Sequence, residues 1–324
     1  MREVPLLQVK DLQVSFTVDK KPVPVVRGLS YSLPAGKVLA VVGESGSGKT
    51  VHALSLLKLL PPAAAVRCGE ILYKGKNLLT LPDTELRQIR GQKISMIFQD
   101  PVASLNPVLT IGEQLIETLR AHRKITKQEA FAQAISLLEK VGIADAGKRL
   151  TEYPFQFSGG MCQRVMIAMA LALSPDILIA DEPTTALDVT IQAQIIRLIK
   201  KLQQSSGMSV IFITHNLALA SQVADEVLVL YSGLCMEQAS AADLFANPVH
   251  PYTRGLLASL PSVKTRSERL PAIAGTPPVA GEQLIGCPFA PRCPHAVEKC
   301  RHEIPPLTNR AGHQVRCFRR DNKI

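Results

Sequence analysis

Apolar and polar positions alternate with strand periodicity at the start of the chain. The segments "LLQVKDLQVSF" and "VVRGLSYSL" predict strands joined by turns. "KVLAVVG" (residues 37–43) is a short, continuous, β-branched apolar run, the pattern of a strand buried on both faces. It leads into a glycine-rich loop and then "KTVHALSLLKLL", which reads as a helix stopped by Pro61-Pro62. Residues from about 112 to 175 read mostly as helix, broken around "TEYPFQFSGG". "DILIAD" then predicts a second buried strand, "TIQAQIIRLIKKLQQSSG" a helix ended by glycine, and "SVIFITHN" a third strand. Such alternation implies an α/β fold with a mainly parallel sheet and helices on both faces. Eleven of the 23 prolines lie from Pro248 onward, which predicts a boundary there, after which regular structure thins out.

Composition narrows the class. With 46% hydrophobic and 20% charged residues among 324, the chain is globular. The N-terminal "MREVPLLQVKDLQVSF" has charges where a secretory signal needs an apolar segment. The longest apolar run, "VMIAMALAL", is about half a membrane span. A cytosolic protein is therefore expected, in which clustered cysteines point to metal or redox chemistry before disulfides. The net charge of +10 is uneven: from Val249 onward twelve Lys/Arg face five Asp/Glu, which leaves +3 for the rest. With 4% aromatic residues and no Trp there is little to stack on bases, so no nucleic-acid partner is expected. The basic tail reads as a solvated face, or as a surface attracted to an anionic membrane.

"GESGSGKT" comprises Gly43, Glu44, Ser45, Gly46, Ser47, Gly48, Lys49 and Thr50, between an apolar strand and a helix. This is the phosphate-cradling pattern, in which glycines let backbone N–H groups point at phosphate oxygens. Lys49 is expected on the β- and γ-phosphates of ATP and the Thr50 hydroxyl on Mg²⁺. "ILIADEP" ends a buried strand on Asp181, costly there unless it meets a cation such as Mg²⁺. Glu182 beside it is placed to polarise the attacking water. His215, closing "VIFITH", is expected at the γ-phosphate.

"FSGGMCQR" opens a second helix with the Ser158-Gly159-Gly160 core of an anion-gripping N-terminus. On these motifs together the chain resembles the ATP-binding subunits of ATP-binding-cassette (ABC) transporters, over about residues 5–260. The resemblance implies a P-loop NTPase (RecA-like) core, an antiparallel β-subdomain and an inserted α-helical subdomain at about 100–175. It further implies an ABC ATPase domain over 1–250 and a small Cys-rich extension over 251–324. ATP would be sandwiched between the P-loop of one protomer and the signature of a second ABC ATPase, a paralogue or another copy. Gln99 matches the loop linking Mg²⁺ and water to the membrane-facing surface. Asp188, in "ALD" at 186–188, matches the loop crossing the dimer interface. Phe16 falls where the family stacks an aromatic on adenine, although a buried strand residue would look the same. Cys162 stands where related sequences often carry arginine.

"GQKISMIFQDPVASLNPVLTIGEQLIE" and "NPVHPYTRGLLASLP" resemble the ATPases of bacterial dipeptide, oligopeptide and nickel importers. That implies ATP hydrolysis coupled to transmembrane transport, with two transmembrane permeases and, indirectly, an extracytoplasmic solute-binding protein. The chain would lie peripherally on the cytoplasmic face of the inner (plasma) membrane. Alternatives are a nickel, metal-chelate or opine importer, or a non-transport ABC ATPase with a redox-sensing tail.

Four of seven cysteines, Cys287, Cys293, Cys300 and Cys317, are spaced C-x5-C-x6-C-x16-C. Zinc sites usually bring ligands in as C-x2–4-C pairs, whereas iron–sulfur clusters accept varied spacing. Oligopeptide-type ATPases carry a similar ending, and the resemblance implies a [4Fe-4S] cluster; zinc and unliganded thiols stay open. His295, His302 and His313 are nearby substitutes. Cys68, Cys162 and Cys235 are expected to be ordinary buried or semi-buried thiols.

Overall fold

The computed structural model describes residues 5–185, 187–260, 272–279 and 282–319; Ala186 of the "ALD" loop lies outside them. Along the chain the strands are β1 (Leu7–Val18), β2 (Lys21–Leu33), β3 (Val38–Val42), β4 (Ala64–Tyr73), β5 (Lys76–Asn77), β6 (Ile94–Ile97), β7 (Ile177–Asp181), β8 (Ser209–Thr214), β9 (Glu226–Tyr231), β10 (Leu234–Ser240), β11 (Thr308–Arg310) and β12 (His313–Val315). The helices are α1 (Lys49–Leu56), α2 (Asp83–Ile89), α3 (Pro101–Ser104), α4 (Ile111–His122), α5 (Lys127–Lys140), α6 (Ala146–Arg149), α7 (Gly159–Leu171), α8 (Val189–Ser206), α9 (Leu217–Val223), α10 (Ala241–Ala246), α11 (Pro251–Ala258) and α12 (Glu298–His302). Packing groups the described residues into two units. The first takes in Met1–Pro34, Val38–Thr80 and Ile213–Ile324, the second Ala35–Lys37 and Leu81–Phe212.

In the first unit, β2-β1-β4-β5 form an antiparallel sheet. The β1–β2 turn is two residues, Asp19 and Lys20, both at positive φ, the geometry whose twist suits a hairpin. A second sheet runs β11-β12-β10-β9-β3, with β3 and β9 parallel and β9 and β10 a hairpin. All five residues of β3 are buried, as its apolar run predicts. Ala40 and Val42 of β3 share a core with Val227, Val229, Tyr231, Met236, Leu244, Tyr252 and Phe289. Burying a large side chain of this kind contributes about 1.5–3 kcal/mol.

The second unit contains the parallel pair β6–β7, with the first four residues of β8 beside β7. The span expected to be helical holds α3 to α7. Capping boxes at Thr110/Glu113 and Thr126/Glu129 start α4 and α5, each tying a side chain to the other residue's free N–H. Ile116 and Leu119 of α4 pack on Ala130 of α5. Gly207, at φ 70°, ends α8 where the sequence places its stop.

One expectation is corrected. The helix after the P-loop ends at Leu56, before Pro61: Lys58 is left-handed at φ 50°, and the Leu59 N–H returns to the Leu54 carbonyl. Past Pro248 regular structure thins out as expected, to α11, α12 and the short β11–β12 hairpin. That hairpin joins β10 through Glu237↔Val315. The C-terminal residues pack in the unit that holds the P-loop.

Candidate nucleotide site and cysteine cluster

In the first unit β3 delivers the chain into the P-loop, and α1 carries it away. A Cβ on Gly43 would stand 2.1 Å from the Leu230 carbonyl oxygen, so only glycine lets the loop run this close to β9. Ser45 and Gly46 are exposed at the tip, and Thr50 is exposed in the first turn of α1. Ser47 is buried, and among the described residues its Oγ has no hydrogen-bond partner. A buried hydroxyl left so is costly, and a phosphate oxygen would satisfy it. Lys49 is also buried, its ammonium donating to the carbonyls of Gly43 (2.9 Å) and Glu44 (3.0 Å). The positive group is thus held inside the loop over the start of α1, where helix N–H groups favour an anion. His215 follows β8 and is exposed, next to Asn216, which caps α9. Phe16 is half-buried on β1, opposite Val23 and Ala64.

The second unit holds the carboxylates. Asp181 closes β7 and is 1% exposed. Glu182 follows at φ 45°, a left-handed conformation that costs a non-glycine residue of order 1–2 kcal/mol. Its Oε2 accepts from the Thr185 hydroxyl at 2.9 Å and from the Gln99 amide at 3.4 Å. The strained backbone and these two donors aim one carboxylate oxygen. Ser158 caps α7, its Oγ accepting from the Met161 N–H at 3.4 Å, and Ser158 and Gly159 are exposed. A Cβ on Gly160 would lie 2.9 Å from the Ile191 side chain, so the start of α7 packs closely on α8. Asp188 caps α8 through the Ile191 N–H. Cys162 is buried with its thiol on the Pro154 carbonyl, and burial raises its pKa.

The four C-terminal cysteines meet in the first unit. All four line one cavity of about 20 Å³, together with His250, Phe289 and His295. Burial pushes the Cys287 thiol up to about 11 and also raises Cys293 and Cys317, with neighbouring thiols adding to each rise. Opposing this, the backbone N–H groups two residues on, those of Phe289, His295 and Arg319 respectively, lower the three values. Among the described residues no three His, Cys, Asp or Glu side chains are grouped to hold a metal ion. Of the histidines near the thiols, His302 bonds Glu298 and His313 bonds Glu237. Cys235 is buried as expected, whereas Cys68 is exposed and reaches Asp11.

Sequence reasoning did not find the hydrogen bond from Thr185 to Glu182 or the ion pair between Glu44 and Arg292. The first sits three residues from a recognised motif and could have been read there. The second spans 248 residues and leaves no local signal.

The family model "ABC transporter" matches residues 26–185, and "Oligopeptide/dipeptide transporter, C-terminal region" matches residues 236–300. Among solved structures, the dimeric structure of MJ0796, a bacterial ABC transporter cassette, aligns with a TM-score of 0.66 and 27% identity. It covers 72% of this chain and 98% of that one. A dimeric post-hydrolysis state of that cassette, bound to ADP and Pi, aligns with a TM-score of 0.65 over the same shares. Fold and motifs thus define an ABC-type ATPase. The dipeptide transport ATP-binding protein DppD of Bacillus subtilis (strain 168) is 51% identical over 98% of this chain and 96% of its own length. The oligopeptide transport ATP-binding protein OppD of Escherichia coli (strain K12) is 47% identical over 97% and 93%. This chain belongs to the dipeptide/oligopeptide family of ABC transporter ATP-binding subunits, and it hydrolyses ATP to drive transport.

Proposed function

We propose that this chain powers the import of peptides through a pair of membrane permeases, from the cytoplasmic face of the plasma membrane. Among its described residues no helix is long and apolar enough to cross a membrane, and in this reading the permeases supply the pathway. Cargo would arrive from an extracytoplasmic solute-binding protein that this chain does not touch. The observation that carries the peptide reading is the match over residues 236–300, a region belonging to peptide transporters, beside near full-length identity to DppD and OppD.

In this reading the P-loop N–H groups and Lys49 hold the β- and γ-phosphates, and Phe16 stacks on adenine. Thr50, Gln99 and Asp181 present a hydroxyl, an amide oxygen and a carboxylate, the hard oxygen donors that Mg²⁺ takes. Bound there, Mg²⁺ would neutralise charge on the phosphates during transfer. Glu182 takes the proton of the attacking water, and His215 contacts the γ-phosphate. Ser158, Gly159 and Gly160 close over the nucleotide of a second cassette, with Asp188 at the crossing loop.

At the cysteines we propose a thiolate-bound cluster, although among the described residues their side chains are not grouped to hold a metal ion as they stand. All four cysteines line one cavity, and backbone N–H groups beside three of them favour the sulfur anions a cluster needs. Cys287, Cys293, Cys300 and Cys317 would hold a [4Fe-4S] group that ties the tail together.

Anaerobic purification of the tagged chain, expressed with its neighbouring genes, tests both parts. Two hydrophobic permeases are expected to co-purify, with iron and acid-labile sulfide in equal amounts. Recovery as a lone soluble protein contradicts the importer reading, and colourless protein with stoichiometric zinc contradicts the cluster.

A further inference from the structure

The P-loop residue Glu44 is gripped from the C-terminal side at both its backbone and its side chain. Its N–H donates to the Tyr252 hydroxyl at 2.9 Å, from a tyrosine fully buried in α11. Its carboxylate takes a two-pronged ion pair from Arg292, Nη1 to Oε2 at 2.6 Å and Nη2 to Oε1 at 2.9 Å. Arg292 is only 5% exposed and is itself fixed. Its Nε donates to the Ala274 carbonyl at 2.9 Å and its Nη1 to the Tyr231 hydroxyl at 3.1 Å, and its guanidinium lies over the rings of Tyr231 and Phe289. A planar fork held this way fixes the direction of a carboxylate as well as its distance.

Glu44 also organises the inside of the loop. Its carbonyl accepts from the Ser47 N–H at 3.2 Å and from the Lys49 ammonium at 3.0 Å. One residue therefore links the C-terminal segment on its outer side to the phosphate-gripping groups on its inner side. Every residue in this chain of contacts belongs to the first unit.

We propose that Arg292 is a positioning residue for nucleotide binding, which acts through Glu44 to hold the P-loop in its phosphate-binding shape. The C-terminal segment then contributes to the ATP site as well as to its own folding. Arg292 directly precedes Cys293 and follows Cys287 by five residues, so the cysteine cavity and the P-loop share one short stretch of backbone. This inference rests on the assignment of residues 43–50 as the nucleotide loop.

The test is MgADP binding to the full-length chain by calorimetry, which needs neither hydrolysis nor a second cassette. Arg292→Met and Glu44→Ala are each expected to weaken binding roughly ten-fold, and the double variant no further, because both cut the same link. Arg292→Lys, which keeps the charge and loses the fork, should fall between. A purely structural ion pair predicts a lower melting temperature with an unchanged dissociation constant, and that result in Glu44→Ala overturns the proposal. Should Arg292→Met fail to fold, Glu44→Ala and Arg292→Lys decide on the same criterion. Lys49→Ala serves as the control: if it binds MgADP normally, the P-loop assignment itself fails. If it loses binding while Glu44→Ala and Arg292→Lys keep it, only the role of Arg292 does.

Discussion

Glu182→Gln is expected to lower ATP turnover by about 10²- to 10³-fold while leaving ATP binding intact. Glutamine matches the size of glutamate and can still accept from Thr185 through its amide oxygen, so the left-handed turn after β7 should persist. It cannot accept a proton from water, and that is the one property the substitution removes. Because ATP would bind and not be consumed, the variant should also accumulate as an ATP-dependent dimer, whether with itself or with a paralogue. Phosphate release and light scattering with ATP measure the two effects. Near-normal turnover would remove Glu182 from the role of base.

Stability should fall steeply as the medium is made mildly acidic, because two histidines are buried in their neutral form. His52 lies in α1 directly after the P-loop, fully buried, its Nε2 2.7 Å from the Tyr31 hydroxyl. Burial lowers its pKa to about 4, and burial likewise lowers that of His250 to about 4. In the unfolded chain both return to about 6.5. Between those values the unfolded state binds protons that the folded state does not, so acid favours unfolding. The contribution of this pair is complete well above pH 6.5 and is lost progressively through that value down to about pH 4. Carboxylates barely titrate above pH 5, and from pH 6.5 to 5 the pair should cost about 3 kcal/mol. Denaturant unfolding at the two pH values measures this loss. His52→Gln should remove about half of it, and an unchanged loss would contradict the assignment of His52 as a buried neutral group.

What could be read along the chain was the chemistry confined to short contiguous segments. Residues 43–50 carry their own turn and helix start, and "ILIADE" carries its own buried strand and carboxylates. Strand β3 was legible because five consecutive apolar residues admit few other placements. The β9–β10 hairpin was harder, since its apolar residues run on with only Ser232 and Gly233 to mark the turn. Both have positive φ, the local sign that could have been used. In the C-terminal region the prolines mark where regular structure thins, but the order that remains comes from distant partners. Phe289 enters the core of β3 and β9, Val315 pairs with Glu237, and Arg292 reaches Glu44. Glu237 is the clearest case. Burial would raise its pKa, yet His313, Thr253 and two backbone N–H groups outweigh that and keep it low. No window of sequence contains those partners together.

The most direct measurement is ATP hydrolysis by this chain assembled with its two permeases in vesicles, with and without peptide-loaded binding protein. Turnover is expected to rise several-fold with the loaded binding protein, with peptide accumulating inside, and Lys49→Ala should abolish both. Hydrolysis indifferent to permeases and peptide, or uptake that survives Lys49→Ala, would contradict the assignment of this chain as the motor of a peptide importer.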